Sequence, residues 1–178
     1  MKSLLTLLLS VGLVSYVNAQ TYHSKEGQVS FFSDAPLEDI EAVSKKITSL
    51  VDVEKSEMAF LIPISSFEFE KKLMQEHFNE NYLESEKYPN AIFKGKLNGY
   101  DASASGVQKV KAVGEMTIHG VKQDIDVDGT LEMKGKQMIL NAKFPIKVAD
   151  YEIEIPKVVF YNIAEVVEVT LNLTYEKQ

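Results

Sequence analysis

Three histidines, His23, His77 and His119, are the residues of this chain best suited to acid–base or metal chemistry, and their spacing limits what they can do. None belongs to a paired motif such as HExxH, in which two imidazoles on one helix face share a metal. His77 has Glu80 and Asn81 one turn on, a spacing open to a metal but far more often used for ordinary helix hydrogen bonding. His119 precedes Gly120 in a turn sequence, where histidine tolerates unusual backbone geometry better than most residues. Asp124, Asp126 and Asp128 have carboxylates spaced as in a calcium loop, yet the apolar residues alternating with them place all three on the solvent face of one strand. With no cysteine in the chain, thiol catalysis, structural disulfides and a lipid-modified N-terminal cysteine are excluded. Asn172-Leu173-Thr174 fits a glycosylation acceptor but sits inside an alternating strand pattern. The sequence therefore nominates no catalytic residue, no metal ligand and no cofactor.

What the sequence carries instead is alternation. Met58, Phe60, Ile62 and Ile64 share one face of an expected strand, and Val110, Ala112, Gly114, Met116 and Ile118 line another. Beyond the His119-Gly120 turn, Val121, Ile125, Val127 and Leu131 alternate with Lys122 and the three aspartates, as a strand with one buried face requires. Met138, Leu140, Ala142, Phe144 and Ile146 repeat the pattern, as do Val167, Val169, Leu171, Leu173 and Tyr175. Two segments are ambiguous. Leu37, Ile40, Val43, Ile47 and Leu50 fit a helical stripe, but they also fit two strands joined by a turn at Lys45-Lys46, with the second running from Ile47 to Val53. Residues 149–160, where Tyr151, Ile153 and Ile155 alternate with Glu152 and Glu154 but Pro145 and Pro156 break the pattern, predict an irregular connection with at most a short strand.

The stretch Ser66 to Leu97 is different. Leu73, Met74, Phe78 and Tyr82 recur at helical spacing among Lys71, Lys72, Glu76, Glu80 and Glu84, so one face is apolar and the rest solvated. The helix should stop near Leu83, Tyr88-Pro89 forces an extended or turn conformation, and Phe93 and Leu97 then alternate with Lys94 and Lys96. This segment, with its SFEF, HF and KYPNAIFKG, resembles the centre of the YceI-like lipid- or polyisoprenoid-binding family. A second block, Gly114 to Val121 (GEMTIHGV), is similar to that family's hairpin and lies at the right distance downstream. The resemblance implies strands rather than a helix between Asp34 and Glu57, and a lipocalin-like antiparallel β-barrel of about eight strands with the main helix covering one end.

Lys2, the apolar run Leu4 to Val14 and the small-residue pattern Val17-Asn18-Ala19 read as a secretory signal peptide, giving a leader over residues 1–19 and one domain over 20–178. The run is shorter than the roughly 20 residues a membrane span needs, so no stable membrane insertion is expected once the leader is gone. Export to the periplasm or beyond follows as the expectation. Without Lys2 the chain has 18 lysines against 26 acids, which disfavours nucleic acid and anionic membranes. All its basic residues are lysines, so no planar fork is present to grip a phosphate or carboxylate bidentately.

The inward faces mix bulk with gaps, large at Phe60, Phe93, Met116 and Phe144 and small at Ala91, Gly95, Ala112, Gly114, Gly129 and Ala142. An eight-stranded barrel is close to the size at which side chains just fill the interior or a small ligand replaces some of them. On the resemblance, the second outcome is expected, with a polyisoprenoid or other long-chain lipid as partner. The candidate lining is Phe60, Ile62, Phe93, Ala112, Gly114, Met116, Ile118, Phe144 and Leu171, closed by Met74, Phe78 and Tyr82. Two rivals stay open: a packed structural or stress-response module without ligand, and an enzyme acting on a lipid-like substrate. The oligomeric state is open too, with a homodimer among the options.

Overall fold

The structure is a computed structural model that describes residues 21–34, 39–155 and 164–177; the expected leader and the end of the 149–160 connection lie outside the described residues. Among the described residues ten strands form one antiparallel sheet: β1 (Thr21–Ser33), β2 (Ile40–Ser44), β3 (Thr48–Asp52), β4 (Glu57–Pro63), β5 (Glu68–Phe69), β6 (Asn90–Asn98), β7 (Val107–Ile118), β8 (Val121–Lys134), β9 (Gln137–Lys147) and β10 (Val166–Lys177). The sheet closes because β1 pairs with β10 from Tyr22 opposite Lys177 to Phe32 opposite Glu168.

The barrel has eight staves, since two of them are each built from two strands. β2 and β3 both run antiparallel to β1 at the same offset, with Val29 facing Ser44 and His23 facing Leu50. Lys45-Lys46 is therefore not the hairpin turn expected there, nor is the segment helical; it interrupts one continuous stave. Ser24 fills the gap, its Oγ accepting from the Ser49 amide at 2.9 Å. The next stave, β4 and β5, is broken by the 3-10 turn Ile64–Ser66, where the Ser66 hydroxyl meets Ser44 Oγ at 2.6 Å. Pairing a buried serine with a serine satisfies polar groups that would otherwise cost free energy inside the wall.

The other expected strands form with the expected faces inward. The β7–β8 hairpin turns on two residues with positive φ, His119 at 52° and Gly120 at 76°, a conformation whose twist matches that of the strands it joins. Asp124, Asp126 and Asp128 point outward, and Lys111 bridges the last two at 3.2 and 3.1 Å. The segment after β9 is a 3-10 turn, Val148–Tyr151, with both end residues buried.

One half of the barrel is solid. Val51, Leu131, Met138 and Tyr175 are fully buried, and Tyr22 and Leu173 nearly so, forming a floor of interlocked side chains drawn from β1, β3, β8, β9 and β10. The Tyr175 hydroxyl bonds Ser49 Oγ at 2.7 Å, and burial holds its phenol far above the ordinary range and neutral. Gly95 and Gly114 face each other across β6 and β7. A Cβ on Gly114 would stand 2.2 Å from the Lys94 carbonyl oxygen and 2.5 Å from the Gly95 Cα, so the position is a close backbone approach, not a lining position with free space.

Two stability tests follow. Gly114→Ala should lower the denaturant midpoint by an amount equivalent to about 1–3 kcal/mol or more, because backbone must move to admit the methyl. Tyr175→Phe should cost about 1–3 kcal/mol by leaving the buried Ser49 hydroxyl without its partner; an unchanged midpoint would mean that water replaces the phenol.

Candidate functional site

The other half of the barrel is hollow. A cavity of about 320 Å³ lies above the floor, lined almost entirely by apolar side chains. Eleven of the twelve expected site residues surround it: Phe60 and Ile62 from β4, Phe93 from β6, Ala112, Met116 and Ile118 from β7, Phe144 from β9, Leu171 from β10, and Met74, Phe78 and Tyr82 from the cap. Gly114 is the exception, for the reason given above.

The cap is an α-helix, α1 (Lys72–His77), that widens into a π-helical segment over Phe78–Tyr82, with the Leu83 amide reaching back to the Phe78 carbonyl at 2.9 Å. The widening has a geometric use. Four residues overshoot an α turn by roughly 40°, and the broader π turn undershoots, so Met74, Phe78 and Tyr82, four apart, all stay on the cavity side. Leu73 falls off this face and is 61% exposed, against its expected place in the stripe.

Docking of the cap rests on rings. Phe78 packs on Phe31 of β1 at 5.5 Å between centroids, on Phe67 at 5.6 Å and on Phe69 of β5 at 5.0 Å. Phe31 in turn touches Phe67 and Phe69, so four phenylalanines, from β1, β5, the residue before β5 and the cap, form one cluster at the cavity rim. At the far end of the cap, Leu83 is buried with Ile64 and Ala91. Just beyond it, Glu84 Oε2 lies 2.9 Å from His119 Nε2, while His119 Nδ1 lies 3.2 Å from the Tyr151 carbonyl oxygen. His119, expected to serve only its hairpin, thus ties the cap to the hairpin and to the 3-10 turn after β9.

Several lining residues were not anticipated. Phe67 and Phe69 have a signal, the phenylalanine alternation of Ser66-Phe67-Glu68-Phe69 beside the helix, whereas Phe31 on β1 has none. Ile153 and Ile155 had alternation but no expected partner, because the turn that folds them over the rim lies in the segment read as irregular. Among the described residues few polar groups reach the cavity: Ser33, His77, Tyr82 and Asn141. Ser33 Oγ is already used, accepting from the Ala164 amide at 2.8 Å. Burial raises the Tyr82 phenol above its ordinary range, leaving a neutral hydroxyl near the mouth. Among the described residues no group of histidines and carboxylates is placed to hold a metal.

A family model for the YceI-like domain matches residues 18–175. The chain belongs to the YceI-like family. Several solved structures share its architecture: a polyisoprenoid-binding domain from Saccharophagus degradans, implicated in plant cell wall breakdown, superposes with a TM-score of 0.77 at 18% identity over 89% of this chain and 99% of that one. BcnA of Burkholderia cenocepacia gives 0.70 at 20% identity over 83% and 95%, and the Campylobacter jejuni YceI protein gives 0.53 at 16% identity over 100% and 99%. No curated protein sequence matches the chain. At these identities the likeness establishes the YceI-like barrel and helical cap as the fold.

The ring cluster makes Phe78 the residue on which cap docking most depends. Phe78→Ala should cost about 3–5 kcal/mol if its ring counts as fully buried, and less at this partly exposed rim. Hydrogen exchange should show the cap opening while β7 to β10 keep their protection; simultaneous loss throughout would make the cap part of the core rather than a separable lid.

Proposed function

We propose that this chain binds a long-chain lipid, a polyisoprenoid or similar amphiphile, within the barrel, and carries or sequesters it outside the cytoplasm. The observation that carries the reading is the division of the interior: a packed floor, an apolar hollow above it, and a cap whose inner face is apolar as well. Burial of each methylene contributes about 0.8 kcal/mol, so ten such groups give roughly 8 kcal/mol, near micromolar affinity before ordering costs. Specific polar contacts are not needed for that.

Among the described residues the lining carries no lysine and no carboxylate side chain. A charged head group meets no lysine or carboxylate among the described lining residues and would stay at the mouth, where the Tyr82 hydroxyl offers a neutral donor. The same scarcity argues against an enzyme, which needs convergent polar groups around a reacting atom. A ligand-free packed module fits the floor but not the hollow. The signal-peptide pattern at the N-terminus supports export.

Native mass spectrometry of freshly purified protein, followed by organic extraction, should reveal a co-purifying long-chain lipid. Filling the hollow gives the matching variant: Ala112→Phe should weaken binding of a fluorescent prenyl probe at least tenfold while the barrel stays folded. Ala112 faces Leu97 and Val127 across its strand neighbours and borders the cavity, so a ring there enters free space. Undiminished probe binding by a folded Ala112→Phe protein would place the ligand elsewhere.

A further inference from the structure

We propose that His119 is a positioning residue whose imidazolium form locks the cap, so that exchange of the cavity's contents speeds up when it loses its proton. The argument begins with donors and acceptors. The Tyr151 carbonyl oxygen can only accept, so the His119 Nδ1 that faces it at 3.2 Å must carry a proton. The Glu84 carboxylate also only accepts once ionised, so Nε2 at 2.9 Å must carry one as well. A neutral imidazole has one N–H and can make one of these bonds; the imidazolium makes both.

The surroundings make the arrangement rigid. The His119 side chain is only 13% exposed, and the Tyr88 ring stands edge-on to it at 4.6 Å. Tyr88 in turn fills the space beside Gly120, where a Cβ would lie 2.5 Å from the ring. Glu84 and His119 both hold positive φ, as does Glu152 next to Tyr151, so all three corners adopt a conformation that side chains other than glycine rarely take. Several charged groups belong to the elements packed here. From the cap side come Glu84 itself and Lys87, whose Nζ is 3.9 Å from Glu84 Oε2 and 4.7 Å from the Tyr88 centroid. Asp150 and Glu152 flank Tyr151, and on the hairpin Lys122 is engaged with Glu115 at 2.8 Å.

The lock acts on the gate through its position. Glu84 immediately follows Leu83, the buried anchor of the cap's C-terminal end, and the cap's inner face closes the cavity through Met74, Phe78 and Tyr82. Losing one charge-assisted bond at this end leaves it held by the packing of Leu83 on Ile64 and Ala91, with the phenylalanine cluster at the rim. The consequence for ligand exchange rests on the proposed lipid-binding reading; the consequence for cap opening does not.

The test uses an uncharged fluorescent prenyl alcohol, so that the probe itself does not titrate, and compares the parent with Glu84→Gln between pH 5.5 and 8. In the parent, probe dissociation should accelerate about tenfold from the acid end of this range to the alkaline end. Glu84→Gln should lose this dependence, because its amide can donate to an unprotonated Nε2 while Nδ1–H still serves Tyr151, which satisfies the lock with a neutral ring. Protection factors of the amides over residues 72–82, measured on the same proteins without probe, should fall with rising pH in the parent and stay level in the variant. A parent with pH-independent protection, or a variant with the parent's dependence, overturns the proposal. If no probe binds at any pH the lipid-binding reading fails, and the protection factors still decide for or against the lock.

Discussion

A closed barrel of eight strands encloses a volume that is nearly fixed by strand number and tilt, and everything else in this molecule depends on how that volume is divided. Side chains at close-packed density can fill it. Here they do so only in the lower half, where tyrosines, methionines and leucines from five strands interlock. In the upper half the same alternation continues with phenylalanine beside alanine, as at Phe144 and Ala142 on β9, and the facing side chains do not meet. The difference between wall and contents is thus one of residue size along otherwise similar strands.

The open end creates a second requirement, a cover that is apolar beneath and polar above. A straight α-helix with residues four apart would rotate its apolar face away from the mouth; the π-helical segment corrects the drift within one turn. The two ends of the cap are fastened by different physics. At the rim the attachment is dispersion among four rings, insensitive to pH and salt. At the other end the packing of Leu83 on Ile64 and Ala91 is joined by directional hydrogen bonding through His119.

Strand faces were legible in the sequence because alternation is a local property, and eleven of the twelve expected lining residues border the cavity for that reason alone. Where expectation and structure part, the deciding contact is non-local. Gly114 has the parity of a lining residue, but Gly95 lies opposite and the backbones approach too closely for any side chain. Leu73 fits a 3.6-residue stripe, and only the π-helical widening downstream reveals which residues set the face. Lys45-Lys46 looks like a turn between strands, yet β1 pairs with both flanking segments and keeps the chain running straight. The contribution of Phe31 was hidden likewise, since its partners come from β5 and the cap.

The seam that closes the barrel joins the first described strand to the last, with Tyr22 opposite Lys177. Until β10 is present and docked, β1 and β9 each expose an unpaired edge, and the hollow half offers no packed core to hold them in place. Contacts between strands so distant in sequence carry a large loop-closure cost, which slows folding of such topologies. The chain must therefore be synthesised through its last described strand before the barrel can shut, so closure of the hollow is the final step of folding rather than its nucleus.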